Sequence, residues 1–373
     1  MASEITNYQC PACTAPLRFD GESGKLQCDF CGSSYSVEEI EALYADKDKA
    51  AAKASEQAEK RAQETSDGQA AAGWDADENL RAYQCPTCGA ELICQKTTAA
   101  TACPYCGNPT VVPGQLSGAL KPEFVLPFKI EKEAAVAALH KHYGKRIFYL
   151  PKLFRSDNHI DKVQGVYVPF WLFDARVSGS GQYDGQDSVT HMEGDYEVTR
   201  TMHYNVERVG SAEFNRIPVD GSKKMPDDYM DSIEPFDYTQ LRPFSTAYLP
   251  GFLADRYDVS AEEATPRMEA RCENSLDDLL RRDINHMVVV RKRFSSRVEK
   301  MEAHYALLPV WMLTTKWRDQ TYLFAMNGQT GKFVGELPTD NGLFWRNVAI
   351  LTLLVTLVLR LTGITRMILS LFG

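Results

Sequence analysis

Basic charge is scarce in this chain. Its 373 residues carry 41 Lys and Arg against 50 Asp and Glu, a formal net charge of −9. Gripping nucleic acid by its phosphates needs a basic footprint, so this balance argues against broad nucleic-acid binding. The stretch 8–35 has only Arg18 and Lys25 as cations, against Asp20, Glu22 and Asp29. A Walker A loop is lacking too. Gly144-Lys145 is followed by Arg146 and has no upstream glycine, which removes P-loop nucleotide hydrolysis. Gly179-Ser-Gly-Gln-Tyr-Asp-Gly185 fails as a dinucleotide fingerprint, because its last spacing is wrong and its context is a hairpin. His140 and His142 lie two apart, on nearly opposite faces of a helix. His159, His191, His203, His286 and His304 have no partners at recognisable spacing. With no catalytic constellation, the chain reads as non-enzymatic. The N-terminal Met-Ala-Ser-Glu-Ile-Thr carries neither a basic nor an apolar leader segment, so nothing points to an oxidising compartment.

What is present in quantity is paired cysteine. Cys10-Pro-Ala-Cys13 is followed after fourteen residues by Cys28-Asp-Phe-Cys31. Cys85-Pro-Thr-Cys88 is followed after fourteen by Cys103-Pro-Tyr-Cys106. All four positions recur at an offset of 75, as do Tyr8/Tyr83, Gln9/Gln84, Leu17/Leu92 and Gly32/Gly107. Two such turns joined by a hairpin offer four thiolates at tetrahedral angles, which suits zinc. Every ligand is a protein atom, so each site is closed and structural, and the chain is expected to hold two Zn2+. Disulfides, redox dithiols and an iron–sulfur cluster are the rival readings. Gly32, Gly89 and Gly107 follow second cysteines, where a turn needs positive φ. Thr14 breaks that pattern and marks the first ribbon as the weaker one. Cys94 and Cys272 read as small buried hydrophobes.

The predicted class is α+β, with an organisation that changes along the chain. Residues 1–40 form zinc ribbon 1, and 41–82 an Ala/Glu/Lys-rich, partly helical spacer. Residues 83–113 form zinc ribbon 2. From 120 to 338 the chain is globular, in keeping with 44% hydrophobic and 10% aromatic residues. A helix is expected over 131–143 and strands over 163–177 and 196–209, with Gly179–Gly185 as a turn. The stretch 220–258 reads as loop with short helical turns. Ser260 to Arg282 is a helix with Ser260 and Glu263 as a capping box. His286–Phe294 and Tyr305–Trp317 are strands, and Asn327-Gly328 after Tyr322–Met326 predicts a primed hairpin turn. Val168-Pro-Phe-Trp-Leu-Phe173 echoes Leu308-Pro-Val-Trp-Met-Leu313. Two related β-modules in one antiparallel-sheet domain account for this, the alternative being two coincident short strings. Pro169 and Pro309 place these strands at edges or bulges.

The one long apolar run is at the C-terminus, residues 343–373. Leu343 to Leu361 gives nineteen residues with Arg346 and Arg360 near the ends and Phe344 and Trp345 at a belt position. That length and composition fit a membrane anchor. The alternative is a core helix, but the run is apolar all round rather than amphipathic. Reduced thiolates would keep the N-terminal bulk in the cytoplasm, making a single pass in the cytoplasmic membrane.

Assembled in this way, the chain resembles a group of bacterial proteins with TFIIB-type zinc ribbons, some named after the helicase PriA. The resemblance rests on Cys85-Pro-Thr-Cys88-Gly-Ala-Glu, Cys103-Pro-Tyr-Cys106-Gly-Asn-Pro, Gly165-Val-Tyr-Val-Pro-Phe-Trp-Leu-Phe173 and Phe324-Ala-Met-Asn-Gly-Gln-Thr-Gly-Lys332. Helicase activity does not carry over, because no ATPase motor is present. The chain is also similar to the zinc-ribbon membrane subunit of a Bacillus phage-shock-type complex. That resemblance implies work beside a second membrane subunit, an SPFH-domain protein and a PspA (ESCRT-III-like) protein in membrane maintenance or stress response. The resulting expectation is a membrane-anchored adaptor. Its alternatives are a zinc-ribbon nucleic-acid-binding regulator and an uncharted enzyme in the globular part.

Overall fold

The structure, a computed structural model, describes residues 8–45, 80–84, 91–95, 97–102, 109–111, 121–144, 151, 163–317, 320–336 and 340–361. The chain opens with a three-stranded antiparallel unit of β1 (Leu17–Asp20), β2 (Lys25–Cys28) and β3 (Ser34–Tyr35). Residues 37–45 then form helix α1. Ser36 starts it with a capping box: Glu39 N–H donates to Ser36 Oγ at 3.2 Å, and Ser36 N–H to Glu39 Oε2 at 2.8 Å. The helix therefore runs past residue 40, the expected ribbon boundary.

Two hairpins follow. β4 (Leu80–Gln84) pairs with β5 (Glu91–Gln95), and β6 (Thr98–Ala102) with β7 (Pro109–Val111). The remaining elements are β8 (Phe124–Val125), α2 (Lys132–Gly144), β9 (Gln164–Glu193), β10 (Tyr196–Asp220), α3 (Asp227–Ser232), β11 (Arg242–Pro243), β12 (Leu253–Asp255), α4 (Ala261–Arg281), β13 (Val288–Trp317), β14 (Gln320–Asn327), β15 (Phe333–Gly335) and α5 (Asn341–Leu361). One ten-stranded sheet gathers β6 to β15. It is mixed rather than antiparallel, since β8 runs parallel to β13 and β12 parallel to β9.

β9 and β13 lie side by side at the centre, and the two halves around them repeat bond for bond. Val168 opposes Leu308. Phe170 opposes Asp220 in one half, and Val310 opposes Asn327 in the other. Gly221 N–H donates to Pro169 O at 2.8 Å, and Gly328 N–H to Pro309 O at 2.9 Å. Trp171 Nε1 donates to Val259 O at 2.9 Å, and Trp311 Nε1 to Ile130 O at 2.8 Å. Two residues after Val259 comes α4, and two after Ile130 comes α2. Each helix packs on the other half's hairpin. α4 buries Ala264, Met268, Cys272 and Leu276 against Phe173, Val177 and Val219. α2 buries Ala135 and Leu139 in the cluster holding Trp311, Leu313 and Phe324.

This arrangement corrects the expectation for the prolines. Pro169 falls where β9 changes partner, between Tyr167 on β12 and Phe170 on β10. Pro309 falls between Leu307 on β8 and Val310 on β14. At its proline neither strand is an edge, and the missing N–H sits at a gap in the ladder.

Gly179–Gly185 is not a turn either. It runs through a β9 of thirty residues, about 100 Å at ~3.3 Å per residue. A Cβ on Gly179 would stand 2.8 Å from Ser295 O, one on Gly181 2.3 Å from the Tyr183 hydroxyl, and one on Gly185 2.3 Å from the His286 ring. These glycines admit close neighbours. The turn comes later, at Gly194-Asp195, with Gly194 at φ 65°. Likewise 288–317 is one strand rather than two. The Asn327-Gly328 hairpin exists, but not as a primed turn. Asn327 N–H donates to Lys332 O at 2.9 Å, and the positive φ of 77° falls on Gly331. Asn327 is fully buried instead, its amide donating to Ile233 O and Pro235 O.

Candidate metal centre

Two turns of identical design build the centre. In the first, Thr14 N–H donates to Cys10 O at 2.8 Å and Cys10 N–H to Ala15 O at 2.7 Å. In the second, Gly32 N–H donates to Cys28 O and Cys28 N–H to Ser33 O, both at 2.9 Å. Each turn closes on a left-handed residue, Thr14 at φ 61° and Gly32 at φ 71°. Threonine thus adopts the glycine conformation, and its hydroxyl donates to Cys13 O at 2.6 Å. The β1–β2 hairpin brings the turns together. The four Sγ atoms of Cys10, Cys13, Cys28 and Cys31 all lie within 4.8 Å of one another. Cys10 and Cys31 are 3.6 Å apart, and Cys13 and Cys28 3.4 Å. Four sulfurs about 2.3 Å from a tetrahedral zinc stand roughly 3.8 Å apart, so the cluster is suited to one Zn2+. The first cluster thus forms with Thr14 standing where the other turns have glycine.

The surroundings prepare the sulfurs unequally. The Ser33 hydroxyl, 3.2 Å from Cys31, holds that thiol down to about 6, with the Ser33 N–H and Cys13 adding to the effect. For Cys13 the Ala15 N–H pulls downward, but Cys28 and burial outweigh it and push the thiol up to about 12. Burial raises Cys10, and the Cys13 N–H, the Tyr35 hydroxyl and the Ala12 N–H more than reverse that. A bound zinc would demand four thiolates and release the remaining protons. Tyr35 Oη, 3.7 Å from Cys10 Sγ, is placed to donate to the sulfur and orient it.

The ribbon is fused to the body of the protein. Tyr44 of α1 both accepts from Gln9 N–H at 3.0 Å and donates to Gln9 O at 2.9 Å. Phe19 N–H donates to Pro250 O at 3.0 Å, its ring meets Tyr248 edge-on at 5.1 Å, and the Tyr8 hydroxyl bonds Thr246. Gly21 lies so close that a Cβ would stand 2.4 Å from Phe128 O. The β6–β7 hairpin attaches to the same segment, with Ala254 opposite Ala100 and Arg256 N–H donating to Thr97 O at 2.8 Å.

A Trm112p-like protein family matches residues 9–39, the stretch that carries the cluster. Over 339 residues, the chain is 34% identical to the uncharacterized protein YdjG of Bacillus subtilis (strain 168), covering 91% of this chain and 92% of that one. The chain belongs to the YdjG family. No solved structure matches it.

In this YdjG-family chain the second cysteine set, Cys85, Cys88, Cys103 and Cys106, lies outside the described residues. The strands flanking it are described, and two of the first ribbon's pairings recur in them 75 positions on, whereas the β1–β2 pairing has no counterpart between β5 and β6. Gln9 opposite Pro16 recurs as Gln84 opposite Glu91, and Gln27 opposite Ser34 as Ala102 opposite Pro109. Three histidines bond carboxylates instead. His203 bonds Asp184, His286 bonds Asp187 and His304 bonds Glu123, at 2.9, 2.9 and 2.8 Å. The supporting roles of Ser33, Tyr35 and Tyr44 were not read from the sequence. The Ser36-x-x-Glu39 spacing was a usable signal for α1.

Proposed function

We propose that this chain is a membrane-anchored, non-enzymatic zinc-ribbon adaptor that gathers protein partners at the cytoplasmic membrane. The observation that carries the reading is α5. Residues Asn341–Arg360 form a helix long and apolar enough to cross a bilayer, with mean hydropathy 1.9 and none of that window buried against the protein. A helix that is apolar all round and packs on no core is suited to lipid. Arg346 and Arg360 can snorkel from its ends, and Trp345 suits the interface. Cytoplasmic placement of the bulk keeps the thiolates reduced.

The closed four-cysteine cluster supports a structural role for the metal, since it reserves no position for water or substrate. The recurrence of the Cys-x-x-Cys spacing and of two flanking pairings supports a second Zn2+ site at Cys85, Cys88, Cys103 and Cys106. The resemblance to the Bacillus phage-shock-type subunit names the partners: an SPFH-domain protein, a PspA-like protein and a second membrane subunit. Affinity purification of the chain at native levels from gently solubilised membranes tests this. Recovery of an SPFH-domain or PspA-like protein in comparable amount is expected. Recovery of the chain alone would overturn the reading.

A further inference from the structure

β9, β10 and β13 leave the body as a three-stranded arm in the order β10-β9-β13. Its two outer edges differ. Between residues 288 and 303 the β13 edge is broken by bulges at Arg291/Arg293 and Val298/Lys300. It also carries Arg293, Arg297 and Lys300 on one face. Bulges and basic side chains are devices by which an edge strand refuses a further partner. The β10 edge has no such bulge between Tyr196 and Phe214, although it too carries charged side chains. Its register on β9 is unbroken from Tyr196 to Phe214, no proline interrupts it, and nearly all of it is exposed.

The period of two sorts the β10 charges by face. Tyr183 reaches α4 by donating to Asp277 at 2.8 Å, and Val206 opposite it shares that face. Arg200 and Arg208 therefore lie on the α4 side, bracketing Met202 and Tyr204, which are 37% and 40% exposed. Glu197, Glu207 and Glu213 lie on the other. A second copy would pair with β10 antiparallel, about a twofold normal to the sheet. That operation keeps each face on its own side, so the registers that bring Glu197 opposite Glu207 or Glu213 are unfavourable.

We propose that the outer edge of β10 is a strand-addition site for an extended segment of a partner protein, with lysine or arginine on one face and acidic or apolar side chains on the other. Backbone bonds would supply affinity and the sorted charges the choice of partner. This goes beyond the adaptor reading and is tested without it. The purified full chain in detergent is mixed with short synthetic peptides of equal composition, one with lysine and glutamate sorted onto opposite faces and one with them mixed. The sorted peptide is expected to slow amide exchange about tenfold at alternate residues of 197–213 and to leave 288–303 unchanged. The double substitution Glu197→Lys, Glu207→Lys, at exposed positions, is expected to abolish that protection while zinc content holds. Equal protection by the mixed peptide, protection at 288–303 instead, or none at all would overturn the proposal.

Discussion

Thr14 shows what one residue decides. A β-branched side chain in the left-handed region costs about 1–2 kcal/mol, and glycine gives part of that back through its unfolded-state freedom. Thr14→Gly is therefore expected to stabilise the ribbon by about 0.5 kcal/mol, seen as zinc that resists a competing chelator longer. Thr14→Val keeps the branching and loses the bond to Cys13 O, so it should release zinc sooner. The buried pair of Asp220 and Arg267 makes a second case. Asp220 is 1% exposed and bonds Arg267 at 2.7 Å, while burial still raises its carboxyl. Arg267→Ala strands that charge and should cost about 3 kcal/mol in a denaturant melt. Asp220→Asn, which copies the Asn327 of the other half, should cost less. Cys10, Cys13, Cys28 and Cys31 were legible because metal ligation fixes residue type and spacing together. Ser33 and Tyr35 were not, because a hydroxyl beside a sulfur carries no spacing rule.

Whole elements were legible where capping and periodicity agreed. Ser260 and Glu263 form the expected box at the start of α4. Long strands escape such signals, because a glycine inside them looks like punctuation. In β9 glycine makes room, and the same holds for Gly328, whose Cβ would stand 2.6 Å from the Phe128 ring and 2.9 Å from Pro309. Gly328→Ala should destabilise by about 2 kcal/mol in a thermal melt. The arm has its own pH response. His203 first, then Gln186, with Lys292 contributing less, hold Asp184 at about 2, below the ordinary 3.8. A lowered carboxyl adds stability above its ordinary range and loses it as pH falls toward the folded value. Amide exchange in the arm should therefore quicken as pH drops from ~4 to ~2 beyond its intrinsic trend. Asp184→Asn should remove that acid step.

Across the whole molecule, the Pro-x-Trp echo proved to mark two halves that exchange helices, with the first ribbon and the β6–β7 hairpin attached to the segment Thr246–Arg256. That attachment was invisible in sequence, because Phe19, Tyr248 and Pro250 meet only in three dimensions. A ribbon welded to the body couples metal to fold. Cys13→Ser should remove one equivalent of zinc and also loosen residues 246–256, read by metal analysis beside amide exchange. The central claim is that this repeat domain and its cysteine cluster are carried on the membrane by α5. Its most direct test is fractionation of cells expressing either the full chain or residues 1–340, with an alkaline wash of the membranes. The account predicts the full chain in the washed pellet and the shortened chain in the supernatant. A full chain found in the supernatant would contradict it.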